Sequence, residues 1–167
     1  MHFLILLPFL LQTLIILFDE FYFHCRRGLP RWERIGHPLD TLSVLLCFLY
    51  VLLFPCTALH LKIYIGLALF SCVLVTKDEF VHKDCCPASE QWLHACLFLN
   101  HPIMLSLLGF LWPVYKSPSP PPFLASLAEQ RGFLGAFLLM QSLLIGLFAL
   151  YQILYWNFLR KENEAHQ

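Results

Sequence analysis

The sequence predicts an all-α, polytopic membrane protein with five transmembrane helices, on three observations: its composition, its five long apolar runs, and the lack of strand-like alternation within them. Of the 167 residues 59% are hydrophobic and 13% charged, against about 45–50% and about 25% in soluble domains. Such a chain carries too little polar surface for a water-soluble fold. Five spans with short loops also use nearly all of its length, so residues 1–167 are expected to form one transmembrane domain.

The apolar runs cover 3–18, 41–57, 59–76, 93–112 and 133–158, each near the roughly 20 residues that cross a bilayer core as a helix. Helices are the economical form because lipid cannot satisfy open backbone groups, and no run alternates as a barrel strand does. The first run lacks a basic lead-in and a small-residue cleavage site, and it passes straight into Asp19-Glu20-Phe21-Tyr22-Phe23-His24. It therefore reads as a retained span rather than a signal peptide. The second and third runs must turn sharply, with Pro55 as punctuation. Polar linkers with a helix breaker follow spans one and three, at 25–32 and 83–87, and a stiff Pro-rich stretch at 117–122 precedes the fifth span. The expected organisation is a first hairpin at about 3–57, a second at about 59–112, a Pro-rich loop at 113–131 and a fifth helix at 132–160.

Eleven Lys plus Arg balance eleven Asp plus Glu, with no basic run interleaved with aromatics, so no nucleic-acid partner is expected. The distribution of charge says more than its sum. Five spans put Arg26, Arg27, Arg31, Arg34, Lys77, Lys83, Arg160 and Lys161 on one face, and Lys62, Lys116 and Arg131 on the other. The positive-inside rule makes the crowded face cytoplasmic and the N-terminus external. Seven cysteines are an odd set, several inside apolar runs, which fits no disulfide framework; the adjacent Cys85 and Cys86 read as reduced loop thiols.

The crowded face also carries a repeat. Asp19-Glu20-Phe21-Tyr22-Phe23-His24 leads through a linker to Glu33-Arg34-Ile35-Gly36-His37; Asp78-Glu79-Phe80-Val81-His82 leads through a linker to Glu90-Gln91-Trp92-Leu93-His94. Each copy ends a helix in Asp-Glu-Phe and a His, and opens the returning helix with Glu-x-x-x-His. A duplicated hairpin of this kind, with a pseudo-twofold axis along the membrane normal, gathers four helix ends into one bundle. Residues four apart lie one turn apart on the same helix face, so Glu20 with His24, Glu33 with His37, Asp78 with His82 and Glu90 with His94 each pair a carboxylate with an imidazole. His101 extends the last stripe along the fourth helix. Mixed carboxylates and imidazoles are ligands of iron, zinc or manganese, and ionisable groups at a membrane boundary are costly unless paired or coordinated. The competing explanation is helix capping and salt bridges to Arg26, Arg27, Arg31 and Arg34. Capping does not account for the histidines, nor for acids at the C-terminal ends of helices, where they oppose the dipole. His60 lies on the opposite face as a solitary interfacial residue, and the fifth span, with Gln141, Gln152 and Asn157, reads as a buttress.

On these Glu/His pairs the chain resembles, at the level of a class, the membrane-bound di-iron oxygenases and desaturases, and the carboxylate di-iron proteins of the ferritin-like kind. The desaturase boxes His-x-x-x-His and His-x-x-His-His are absent, and the ferritin-like Glu-x-x-His spacing occurs at Glu79 and His82, the other pairs being four apart. The resemblance, over about 19–101, implies two metal ions, iron first and zinc second. They would be held by Glu20, His24, Glu33, His37, Asp78, Glu79, His82, Glu90, His94 and His101, and would act on a lipid or other apolar substrate with an electron donor or a second copy of the chain as partner. No Ser/His/Asp order, Walker loop or dinucleotide glycine pattern competes. Three other readings stay open: a zinc-dependent membrane hydrolase, haem held by paired histidines, and a transporter whose charged cluster is an ion path.

Overall fold

The computed structural model describes residues 2–78, 86–117 and 122–160, all in helices or the turns that join them, with no strand among the described residues. Five helices are long and apolar enough to cross a membrane: α1 (Leu4–Arg27), α2 (Arg31–Leu53), α3 (Ala58–Val75), α4 (Ala88–Lys116) and α5 (Arg131–Leu159). The chain is thus an all-helical protein of integral-membrane type, as its composition predicts.

The helices outrun the apolar runs at the polar end. The linker expected at 25–32 contracts to Gly28-Leu29-Pro30, because α1 stays helical through Arg27 and α2 begins at Arg31. Gly28 makes the turn at φ +81°, a left-handed conformation that costs glycine nothing, and Pro30 in extended geometry starts the next helix. Asp19 and Glu20 consequently lie inside a helix and not at its C-terminal end, which corrects the dipole argument made from the sequence. Helix α4 likewise runs on to Lys116 inside the expected 113–131 loop, and short helical turns follow at Pro122–Leu124 and Ala125–Ala128. Arg131 closes the end of α4, donating to the carbonyls of Val114 at 3.0 Å and Ser117 at 2.6 Å.

Packing pairs α1 with α4, α2 with α3 and α5, and α3 with α4. Polar side chains join the helices, as expected where lipid removes the hydrophobic drive between them. Asn100 donates to the Pro8 carbonyl and to Gln12 Oε1, both at 2.8 Å; Thr41 donates to Gln152 at 2.8 Å; Ser43 and Ser71 hydroxyls meet at 2.7 Å. Tyr64 reaches the Leu105 carbonyl at 2.6 Å because Gly109 leaves room for its ring: a Cβ there would stand 3.0 Å from it. The apolar core fills the half of the bundle away from the repeat, where Phe9 meets Phe48 and Phe137 edge-on at 5.9 and 5.7 Å. There too His60 bonds the Tyr50 hydroxyl at 2.7 Å. The half nearer the repeat is where the ionisable residues converge.

Candidate metal centre

Helix α1 departs from α geometry where its chemistry begins. Asp19–His24 form a π turn, in which the i→i+5 pattern brings residues five apart nearly into line. An α-helix would point Asp19 and His24 to different faces; the wide turn aims Asp19, Glu20 and His24 inward together, 5%, 1% and 3% exposed. The returning helices contribute from their first turns, Glu33 on α2 and Glu90 on α4, where the helix dipole favours an acid. One turn further on, His37 and His94 follow at the i+4 spacing of the repeat.

These side chains form two groups. Asp19, His24, Glu90 and His94, all buried, each offer a ligand atom within 4.8 Å of the others; His24, Glu33 and His37 form the second. Ligand bonds of about 2.0–2.2 Å put opposite ligands up to about 4.3 Å apart, so an ion fits with small adjustment. His24 Nε2 lies 3.3 Å from Asp19 Oδ2 and 3.7 Å from Glu90 Oε1, and His94 Nε2 lies 3.1 Å from the same Asp19 oxygen. The His24 ring stacks on His37 with centroids 4.8 Å apart.

The His24 ring is the clearest test of fit. Its Nδ1 meets Glu20 Oε2 at 3.2 Å, while its buried Nε2, facing carboxylates, has no hydrogen-bond partner among the described residues, and neither has Asp19 Oδ1. If Nδ1–H donates to Glu20, a lone pair at Nε2 points at acceptor-only oxygens. That is repulsive unless a cation, a metal ion or a proton, lies between them. Metal-bound histidines commonly donate their other ring N–H to a carboxylate. Glu20 is oriented in turn by the indole of Trp156 on α5, which donates at 2.6 Å from within a second π turn, Tyr155–Leu159.

Arg27 is the cation already present. Its Nη2 donates to Glu33 Oε2 at 2.9 Å and Glu90 Oε1 at 3.0 Å, so one guanidinium joins the two glutamates that the repeat places in equivalent positions. Four carboxylates, those of Asp19, Glu20, Glu33 and Glu90, are buried here, and Arg27 bridges two of them. Asp40 and Lys77 close beside them as a separate pair at 2.6 Å.

Of the expected ligands, the bundle brings together Glu20, His24, Glu33, His37, Glu90 and His94. Glu20 stands behind His24 and belongs to neither group. His101 is placed apart, two turns deeper, between Ser71 Oγ at 3.0 Å and Gln12 at 3.5 Å. Asp78, Glu79 and His82 lie outside the residues whose side chains are described, as does Cys85. The Cys86 thiol is in neither group, and burial, then the Glu90 and Glu33 carboxylates, push it up to about 12 against the pull of Arg27. Asp19, Arg27 and Trp156 are site residues that the repeat alone did not single out. Comparison with protein-family models, curated proteins and solved structures finds no match to this chain. Fold and site together define a membrane-type helical bundle whose buried Asp/Glu/His cluster is suited to a metal ion.

Proposed function

We propose that this chain is a membrane-embedded, metal-dependent oxidoreductase that uses iron and acts on an apolar substrate drawn from the bilayer. The observation that carries the metal reading is His24, buried with one nitrogen held by Glu20 and the other facing the Asp19 and Glu90 oxygens. His24 and His94 with Asp19 make the two-imidazole, one-carboxylate set typical of non-haem iron sites with open positions, and Glu90 adds a fourth donor. The doubled sequence pattern supports a second ion on Glu33 and His37. A neutral imidazole has one free lone pair, so His24 serves a single ion, and the second would draw on the counterparts expected in the other copy, Asp78, Glu79 and His82.

Iron, when bound, would supply oxidising power from dioxygen. The residues of the chain do the rest. Glu20 and Trp156 hold the His24 ring in one orientation, Arg27 holds Glu33 and Glu90 in place, and the apolar walls below exclude water from the reacting group. The excess of basic residues favours a cytoplasmic position for this end, where a soluble electron donor would have access.

Elemental analysis and an absorption spectrum of the protein purified in detergent test the reading. Iron without a Soret band is the expected result. One zinc with no iron would replace it with a membrane hydrolase, a Soret band with haem binding, and retained metal without turnover on any lipid with an ion path.

A further inference from the structure

Below the cluster a cavity of about 260 Å³ runs down the inside of the bundle, larger than the about 150 Å³ that admits benzene in an apolar interior. Asp19, Glu20, His24, His37 and His94 stand at one end, and Phe9, Phe48 and Met104 line the other. Those ends are ten residues apart on α1, from Asp19 to Phe9, and on α4, from His94 to Met104, or about 15 Å of helix. The cavity is therefore long, charged at one end and apolar at the other.

Polar groups along its wall are already matched between helices. Gln12 accepts from Asn100, Thr13 lies 3.4 Å from Gln141, and Thr41 donates to Gln152. These bonds occupy much of the polar surface of the wall, and most of the remainder offers apolar contact. Helices α1 and α5 touch at Thr13 with Gln141, and again at Phe21 with Tyr151, whose rings are 5.8 Å apart. Between these contacts lie about 12 Å of α1, where two cavity-lining leucines, Leu17 and Leu144, are 37% and 46% exposed.

We infer that the cavity binds one unbranched aliphatic chain bearing an uncharged oxygenated head, a long-chain alcohol or aldehyde, which enters from the bilayer between α1 and α5. Its tail rests among Phe9, Phe48 and Met104, and its head lies beside His24 and His94. An apolar tail loses nothing on leaving lipid for this floor, and only the cluster end can satisfy a polar head. A charged head would in addition have to carry a full charge from the interface into the interior of the bundle, which an uncharged oxygen does not. This inference rests on the metal-centre reading for the chemistry done on the head, but not for the binding of the chain.

Photolabelling of the metal-loaded protein in detergent tests it, with dodecanol carrying a diazirine at the terminal carbon or beside the hydroxyl, and metal content measured on the same samples. The terminal probe is expected to label Phe9, Phe48 or Met104, and the head-side probe Leu97 or residues of the cluster. Val44→Trp, which fills the middle of the cavity, should reduce floor labelling at least tenfold without loss of metal; Ile16→Trp serves if that variant does not fold. The matching diazirine-bearing carboxylic acid should label the floor less than the alcohol, and equal labelling would overturn the uncharged head. Adducts confined to bilayer-facing residues such as Leu143 and Leu147 would overturn the inference as a whole. Floor labelling in a protein that takes up no metal when loaded would instead keep the chain pocket and sink the metal reading.

Discussion

The indole Nε1–H of Trp156 donates to Glu20 Oε1 at 2.6 Å, tying the π turn of α5 to that of α1 across 136 residues of sequence. The other oxygen of Glu20 meets His24, so the indole fixes the imidazole through the carboxylate. Replacing the indole by phenylalanine keeps an apolar ring and removes the donor. Trp156→Phe is expected to weaken metal binding about 10–100-fold, the usual effect of losing an outer hydrogen bond, with helical content unchanged. Metal titration with circular dichroism on the same sample checks both.

The histidines divide by position. His94→Ala and His37→Ala should each lower bound metal strongly, since each removes a donor from one of the two groups. His101→Phe and His60→Ala should leave it at the wild-type level, His101 being engaged by Ser71 and Gln12 and His60 by Tyr50 at the opposite end. Equal metal content in all four variants would defeat the site.

Arg27 makes a prediction of opposite sense for stability and binding. Arg27→Gln leaves Glu33 and Glu90 without the guanidinium they share. Breaking a buried pair of this kind typically costs about 3–5 kcal/mol. The metal-free variant should therefore unfold at a lower temperature in detergent, and an added divalent ion should restore more of the loss than it adds to the wild-type protein. A thermal melt with and without the ion reads the difference.

Cys86 should be inert. With its thiol pushed up to about 12 it remains protonated across the physiological range. Its folded value lies above that of a free cysteine, so its contribution to stability is full below about pH 8.5 and declines as the pH rises from there toward 12. Cys86→Ser is expected to leave metal content unchanged, and iodoacetamide at neutral pH should modify Cys86 only after unfolding. Loss of metal in the serine variant would make the thiol a ligand.

The sequence made the convergence of three described helix ends legible because Glu-x-x-x-His is a local, periodic signal: Glu33 and Glu90 occupy the first turns of their helices and His37 and His94 the second, as the pattern implies. Asp19 was not legible as a ligand, because ideal helical spacing aims it away from His24 and only the π turn reverses that. His101 was overread, since seven residues beyond His94 carry it about 10 Å deeper along a continuous helix. Arg27 was one of four arginines that could pair with the acids, with nothing to single it out, and Trp156 looked like part of a buttressing span. The partners of both are set by how helices pack, which no periodicity within one helix encodes.

The wide turn at Asp19–His24 binds the site to a residue count. It holds one residue more than the α turn it replaces, so deleting one of Phe21, Tyr22 or Phe23 would let α1 resume an ordinary winding with Phe9 and Gln12 still facing the interior. Removing a second would swing everything on its N-terminal side by about 100° and carry both out. This stretch of the chain can shorten by one residue and by no more.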